Sequence, residues 1–379
     1  MKISSNSEKI LHILVDRKVK PGTFIKAYKR NNCNSDKTIN YFLNYKNLKF
    51  EYDTCDPGYD FTKNNWNSSK DIIDFVLRNK IGLLSICDDD YPDILRQIHL
   101  PPPLLFFKGD RIKKMEFSIA VVGSRKCTAY GKEAAVYISK NLSEMGIIVV
   151  SGLAAGIDSY AHQASLGGKG GSIGVLGCGI DIIYPPENKL LYDKIPENGS
   201  TITEFLPGTP PLKSNFPVRN RIISGLCQGV IVIEAGERSG AIITCEIALK
   251  ENREVMAVPG SIFSPSNKGC HRLIKEGAKL IEDIDDILGE FSIYTGKIFK
   301  SGHENKFNNK KEKENKKYDI NLSSNELKIY EYIGYKSKSI EDIVKYSSIE
   351  VKEVLRILAY LEINGLIKED SFNKYSRLF

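Results

Sequence analysis

The chain has 379 residues, 41% of them hydrophobic and 27% charged, with a formal net charge of +7. That length exceeds one ordinary compact domain and predicts two or three. The mild basic excess permits a polyanionic partner, and the lack of an apolar run of about 18 residues argues against a membrane-spanning helix.

The start, "MKISSNSEKILHILVDRK", interrupts its apolar residues with charges and does not read as a signal peptide. Eight cysteines are scattered without a C-x-x-C pair or zinc spacing. Four lie in or beside apolar segments, as reduced thiols of a cytosolic protein do. The expectation is a cytoplasmic protein without metal or cofactor.

Residues 1–87 form a predicted small helical (SAM/HhH-like) domain, with Ile10, Leu11, Ile13, Leu14 and later Ile72, Ile73, Val76, Leu77 at helical intervals. It closes at "DDDYPDILRQIHLPPPLLFFKGD" (88–110), whose triple proline marks a connector. From 118 to about 289 the texture becomes strand, turn, helix, repeated. Strand candidates are 118–122, 147–151, 172–176, 201–205, 230–234, 255–259 and a short 279–281. Continuous apolar strands alternating with helices predict an α/β domain over 88–290, a Rossmann-like doubly wound parallel sheet. Residues 297–318 carry eight lysines and three acids, so 291–320 reads as a lysine-rich linker. Three helical pieces and a turn-and-wing pattern over 321–379 predict a winged helix.

Ligands of such a sheet sit at the carboxyl ends of its strands, where helix N-termini offer N–H groups to anions. The first such loop brings Gly123 for a tight turn, Ser124 as a donor and Arg125 at the helix mouth. It matches neither the dinucleotide fingerprint nor the Walker A loop. The second brings Ser151, Gly152 and Gly156, then Asp158 and His162 one helical turn apart. That pair reads as a near-cap acid and a packed histidine before it reads as acid–base machinery, since no nucleophile accompanies it. The third, "GCGIDIIYPPEN", is glycine-rich and stiffened by prolines. Later loops bring Arg238, Ser239 and Gly240, then Lys268 and Arg272. Together they make a long basic rim suited to a polymer more than to one nucleotide. The segment "NFPVRNRIISG" (215–225) adds Phe216, Arg219, Asn220 and Arg221 just before a core strand, either as a salt-bridged helix start or as a site for something anionic and planar.

The series "GSR..TAYG", "SGLAAGID..AH", "GVLGCGID..YPPEN..L", "FPVRNRIISGL", "VIVIEAGERSGAIIT..IAL" and "VMAVPG....NKG....IKEGA" resembles the DprA/Smf family of DNA-processing proteins, from about residue 91 to 288. His271 stands where that family usually has Asn, and Cys245 where it usually has Ala. The resemblance implies a non-enzymatic protein that binds single-stranded DNA, delivers it to RecA in natural transformation, and dimerises through the Rossmann-like domain. With DNA as ligand, Arg125, Arg219 and Arg221 are expected to grip phosphates, Lys213 to add a charge, and Phe216 to stack an unpaired base. Asn220 would meet a base edge or order its loop. For Arg221 an ion pair with an acid such as Glu234 is the alternative, and for Phe216 a role as core filler.

Two rivals come from other classes. A LOG-type phosphoribohydrolase needs a Pro-Gly-Gly loop and a glutamate four residues on; here the loop is "EAGERSGAIITCE" and Glu246 falls six after Gly240. A winged-helix-led duplex or protein module is the other, but its third helix balances Lys352 and Arg356 against Glu350, Glu353 and Glu362, where a DNA-reading helix carries a basic face.

Overall fold

The computed structural model describes residues 3–44, 66–109, 112, 115–291, 323–334, 338–364, 366–371 and 373–377. The lysine-rich linker expected at 291–320 lies outside the described residues apart from Phe291. The chain divides into two compact units, Met1–Ser292 and Ile293–Phe379.

The first unit opens with helices α1 (Ser5–Val15), α2 (Pro21–Arg30), α3 (Ser35–Asn44) and α4 (Ser69–Arg78). Ser4 caps α1, its hydroxyl accepting from the Ser7 amide at 3.0 Å. Ile10, Leu11, Ile13, Leu14, Ile72 and Val76 turn fully inward, whereas Leu77 is exposed. These helices share one continuous apolar core with the sheet. Ser4 and Ser7 also donate to the Asp88 carboxylate at 2.7 and 2.8 Å.

The sheet has nine strands in the order β1-β2-β6-β5-β4-β3-β7-β8-β9. These are β1 (Gly82–Ser85), β2 (Leu104–Lys108), β3 (Ser118–Val122), β4 (Ile148–Ser151), β5 (Ser172–Val175), β6 (Gly199–Thr203), β7 (Gly229–Val232), β8 (Glu254–Ala257) and β9 (Lys279–Leu280). From β6 to β9 all neighbours run parallel. Strands β3 to β7 are buried along their whole length, as helices on both faces require. Two strands went unread in the sequence. The connector 88–110 contains β2, which pairs antiparallel with β6, and β1 pairs antiparallel with β2. The triple proline 101–103 follows short helix α5 (Asp93–Arg96), and the apolar run behind it is long enough to extend the sheet. The sheet therefore begins ahead of the boundary expected at 88.

Helices α6 (Ala129–Glu144), α7 (Ile157–Ser165), α8 (Lys189–Lys194), α9 (Asn215–Gly225), α10 (Gly240–Lys250), α11 (Lys268–Lys275) and α12 (Ile284–Glu290) complete the unit. β3 lies between β4 and β7, so successive connections leave it in opposite directions. This switch point opens a crevice at the carboxyl ends of the strands. Cys178, Cys227, Cys245 and Cys270 are free and buried, and among the described residues no helix is long and apolar enough to cross a membrane.

The second unit holds α13 (Ser324–Ile333), α14 (Ile340–Ser347) and α15 (Val351–Ile363), with an antiparallel sheet β10-β12-β11 made of β10 (Lys338–Ser339), β11 (Ile367–Ser371) and β12 (Lys374–Arg377). Its core joins Ile329, Ile333, Ile343, Val354, Ile357, Leu358 and Leu361. On α15, Arg356 is paired with Glu353 at 2.7 Å.

Candidate nucleic-acid interface

The loops after β3, β4 and β5 and the first turn of α9 enclose a pocket of about 110 Å³, lined among others by Arg125, Gly152, Gly177, Tyr184 and Phe216. Arg125 is exposed and its guanidinium lies 5.2 Å from the centre of the Phe216 ring. Tyr184 packs against the same ring at 5.7 Å. The pocket mouth thus joins a solvent-facing cation to two aromatic rings, a combination that favours planar, anionic ligands.

The β3 loop is held from the next strand of the sheet. Glu234, fully buried just beyond β7, accepts from the Thr128 hydroxyl at 2.7 Å and its amide at 3.1 Å. Its own carbonyl accepts from the Ser124 amide at 2.7 Å. A carboxylate at the start of α6 also meets the positive end of that helix. The Ser124 hydroxyl closes a local turn on Lys126.

The β4 loop is clamped more tightly. Asp158 accepts from the amides of Gly152 and Ala154 at 3.1 and 3.4 Å, and His162 Nε2 accepts from that of Leu153 at 3.3 Å. The Gly152 carbonyl accepts from Arg219 at 2.7 Å, the Leu153 carbonyl from Asn188 at 2.8 Å, and the Ala154 carbonyl from Ser159 at 2.6 Å. Residue 152 must be glycine, because a Cβ there would meet the Arg219 guanidinium at 2.7 Å and the Asp158 carboxylate at 2.8 Å. Ser151 donates inward to the Val121 carbonyl at 2.6 Å, and Gly156 adopts φ +80°. With the amides of residues 152–154 engaged, the loop presents Gly152, Ala154 and Ala155 to the pocket.

Arg219 is only 4% exposed. Besides Gly152 it donates to the Val175 carbonyl and, through Nε, to Asn220 Oδ1 at 3.2 Å. Burial holds the Asp158 carboxyl above its ordinary value, opposed only in part by the neighbouring Arg219 charge and the loop amides. Arg221 is ion-paired with Glu204 at 2.5 Å, not with Glu234. Arg219 and Arg221, expected to grip phosphates, are therefore both turned inward, on different sides of α9: strand-end carbonyls take up Arg219 and the Glu204 carboxylate takes up Arg221. Asn220, 9% exposed, lies within α9 and holds the neighbouring Arg219 side chain through its Oδ1.

His162 is the packed histidine that the sequence favoured. Ser172 Oγ donates to the Val149 carbonyl, so His162 Nδ1, 2.7 Å away, carries the proton and Nε2 is the bare acceptor. Burial first, and the Arg219 charge next, push its pKa from 6.5 to about 3. The unfolded chain therefore takes up a proton near pH 6.5 that the folded chain refuses until about pH 3. This contribution to stability is complete above the higher value and is lost as the pH falls toward the lower. Urea unfolding should show wild-type stability falling by about 1.4 kcal/mol per pH unit between about pH 6 and 4.5 from this group, and His162→Asn should lack that slope.

The other expected residues divide. Lys213 is exposed on the approach to α9. Arg238 and Lys268 are exposed on the β7 and β8 loops, across the switch point and outside the pocket lining. Ser239 caps α10, accepting from the Ala241 amide at 3.3 Å, and Gly240 opens that helix. Glu246 lies 3.8 Å from Arg272, likewise outside the pocket lining. Sequence reasoning missed Tyr184 as a pocket wall and Glu234 and Asn188 as clamps. An acid ending the apolar run "VIVIE" was the available signal, because a buried carboxylate requires nearby donors.

A mostly parallel α/β sheet with a basic, aromatic pocket at its switch point defines a Rossmann-like α/β protein. The chain belongs to the family described as DNA recombination-mediator protein A, whose model matches residues 82–292. It is 48% identical over 213 residues to DNA processing protein DprA of Streptococcus pneumoniae, covering 56% of this chain and 75% of that protein. It is 44% identical over 211 residues to DprA of Bacillus subtilis, covering 55% and 71%. The X-ray structure of the S. pneumoniae protein matches with a TM-score of 0.59 and 35% identity over 76% of this chain and 99% of that one. A structure of DNA processing protein A from Helicobacter pylori, reported for its single-stranded DNA binding mode, matches with a TM-score of 0.51 and 26% identity over 56% of this chain and 95% of that one.

Proposed function

We propose that this chain binds single-stranded DNA without strong sequence preference at the carboxyl edge of its large sheet and hands the strand to RecA. The observation that carries the reading is Arg125, an exposed guanidinium held 5.2 Å over the half-buried Phe216 ring at the pocket mouth. Together they pair a phosphate ligand with a stacking platform that tolerates any base. Lys213 extends the grip along α9, and Arg238 and Lys268 extend it across the switch point. Gly123, Ser124, Ser151, Gly152 and Gly156 shape the loops that carry these groups to the strand. Membership of a DNA recombination-mediator family supports a DNA-processing role; a cytoplasmic setting and a non-catalytic mode of action are part of the proposal.

Dimerisation through the first unit is part of the proposal; Ile262 and Phe263, 75% and 89% exposed beyond β8, support it. The second unit is proposed to be a winged helix, with β11 and β12 as the wing behind α15. Its third helix spends Arg356 on Glu353, which favours a protein contact over duplex reading.

The test is anisotropy of a labelled single strand and its matching duplex across a salt series. Preference for the single strand, with affinity falling linearly in log salt, is the expected result. Equal binding of the duplex, or no binding of either, overturns the proposal.

A further inference from the structure

The segment that joins β6 to α9 carries Lys213 and ends in Phe216, and the N-terminal helical region reaches it. Trp66, just ahead of α4, donates its indole N–H to the Pro207 carbonyl at 2.8 Å. Its ring packs edge-on against Phe75 of α4, with centroids 5.3 Å apart. From Pro207 the segment is tied into the pocket wall. The Gly208 amide donates to the Asp181 carboxylate at 2.8 Å, and the Thr209 carbonyl accepts from the Gly179 amide at 2.9 Å. Asn215 then donates to the carbonyls of Gly177 and Pro210, both at 3.2 Å. Gly177 in turn lies flat on Phe216, where an added Cβ would come within 2.8 Å of the ring.

We infer that Trp66 is a positioning residue for DNA binding, through which the N-terminal helical region fixes the stretch 207–216 and so places Lys213 and Phe216 on the strand. The inference rests on the DNA reading above. Without the indole N–H, the segment loses its hydrogen bond to the N-terminal helical region at Pro207, and the placement of Lys213 loosens. A side chain that merely stabilised the fold would weaken every DNA contact alike; a positioning residue acts through its own segment only.

A mutant cycle separates the two. Trp66→Phe keeps a ring against Phe75 and removes the donor; it is combined with Lys213→Ala, and Arg125→Ala is run beside them. Affinity for a dye-labelled oligothymidine and the thermal unfolding midpoint are measured for each. Trp66→Phe and Lys213→Ala should each weaken binding by about threefold to tenfold, the equivalent of one net hydrogen bond or exposed charge contact. The double variant should be no weaker than the poorer single, with the Trp66→Phe midpoint close to wild type. Unchanged affinity in Trp66→Phe, losses that multiply in the double variant, or a loss matched by a fallen midpoint each overturn the inference. If Arg125→Ala loses affinity while Trp66→Phe does not, the DNA reading stands and the positioning role falls. If the wild type does not bind, both fall.

Discussion

Arg125→Ala is expected to weaken single-strand binding by about tenfold at low salt and to reduce the salt slope by about one, measured by titrating labelled oligothymidine across a salt series. Arg125 is exposed, and among the described residues it has no salt bridge. Its charge is therefore available to a ligand at little cost in broken contacts. Folding should be almost untouched, because surface substitutions away from caps and buried pairs stay within about 0.5 kcal/mol. Arg125→Lys should recover the charge but only part of the affinity, since an ammonium cannot offer a phosphate two parallel hydrogen bonds or stack on Phe216 as a guanidinium does.

Arg219→Ala should behave in the opposite way. Removing this side chain takes a donor from the buried Gly152 and Val175 carbonyls and from Asn220 Oδ1, and removes the nearby positive charge that favours the Asp158 carboxylate. Leaving a buried polar group unsatisfied costs about 1–3 kcal/mol, and two carbonyls are affected, a loss that urea unfolding at neutral pH reads directly. Arg219→Lys should recover little, because one ammonium cannot replace a fork that reaches two strand-end carbonyls and Asn220 at once. At temperatures where the variant stays folded, its single-strand affinity should fall through a loosened pocket, with the salt slope close to wild type. Two arginines on one pocket thus separate into a stability phenotype and a binding phenotype. Equal salt slopes in Arg125→Ala and wild type would remove Arg125 from the phosphate contacts.

The parallel strands were legible because burial on both faces writes itself as unbroken apolar runs, and glycines at their ends mark the turns into helices. β1 and β2 were not, because four or five apolar residues beside a triple proline look the same in a connector as in an edge strand. The order of the sheet decides which loops meet, and periodicity carries no information on order. For that reason the rim read as one row of five loops, whereas three of them with α9 form the pocket and two lie across the switch point. Arg219 shows the same limit at one residue. Its type and spacing suit phosphate, but the carbonyls that consume it come from the ends of other strands. His162 and Asp158 were readable as packed groups because no partner for catalysis stood near them in sequence.

The clamped β4 loop has an evolutionary consequence. Three consecutive amides and three consecutive carbonyls are committed to side chains drawn from α7, α9 and the segment before α8. A neighbouring function such as nucleotide hydrolysis or dinucleotide binding would need those amides turned outward toward a phosphate. No single substitution achieves that: removing Asp158 frees the Gly152 and Ala154 amides but leaves the Leu153 amide on His162 and the loop carbonyls on Arg219, Asn188 and Ser159. The loop sits in a valley that drift does not leave one step at a time. Variation should instead accumulate at Arg125, Lys213, Arg238 and Lys268, where grip strength can change without unfolding the chain.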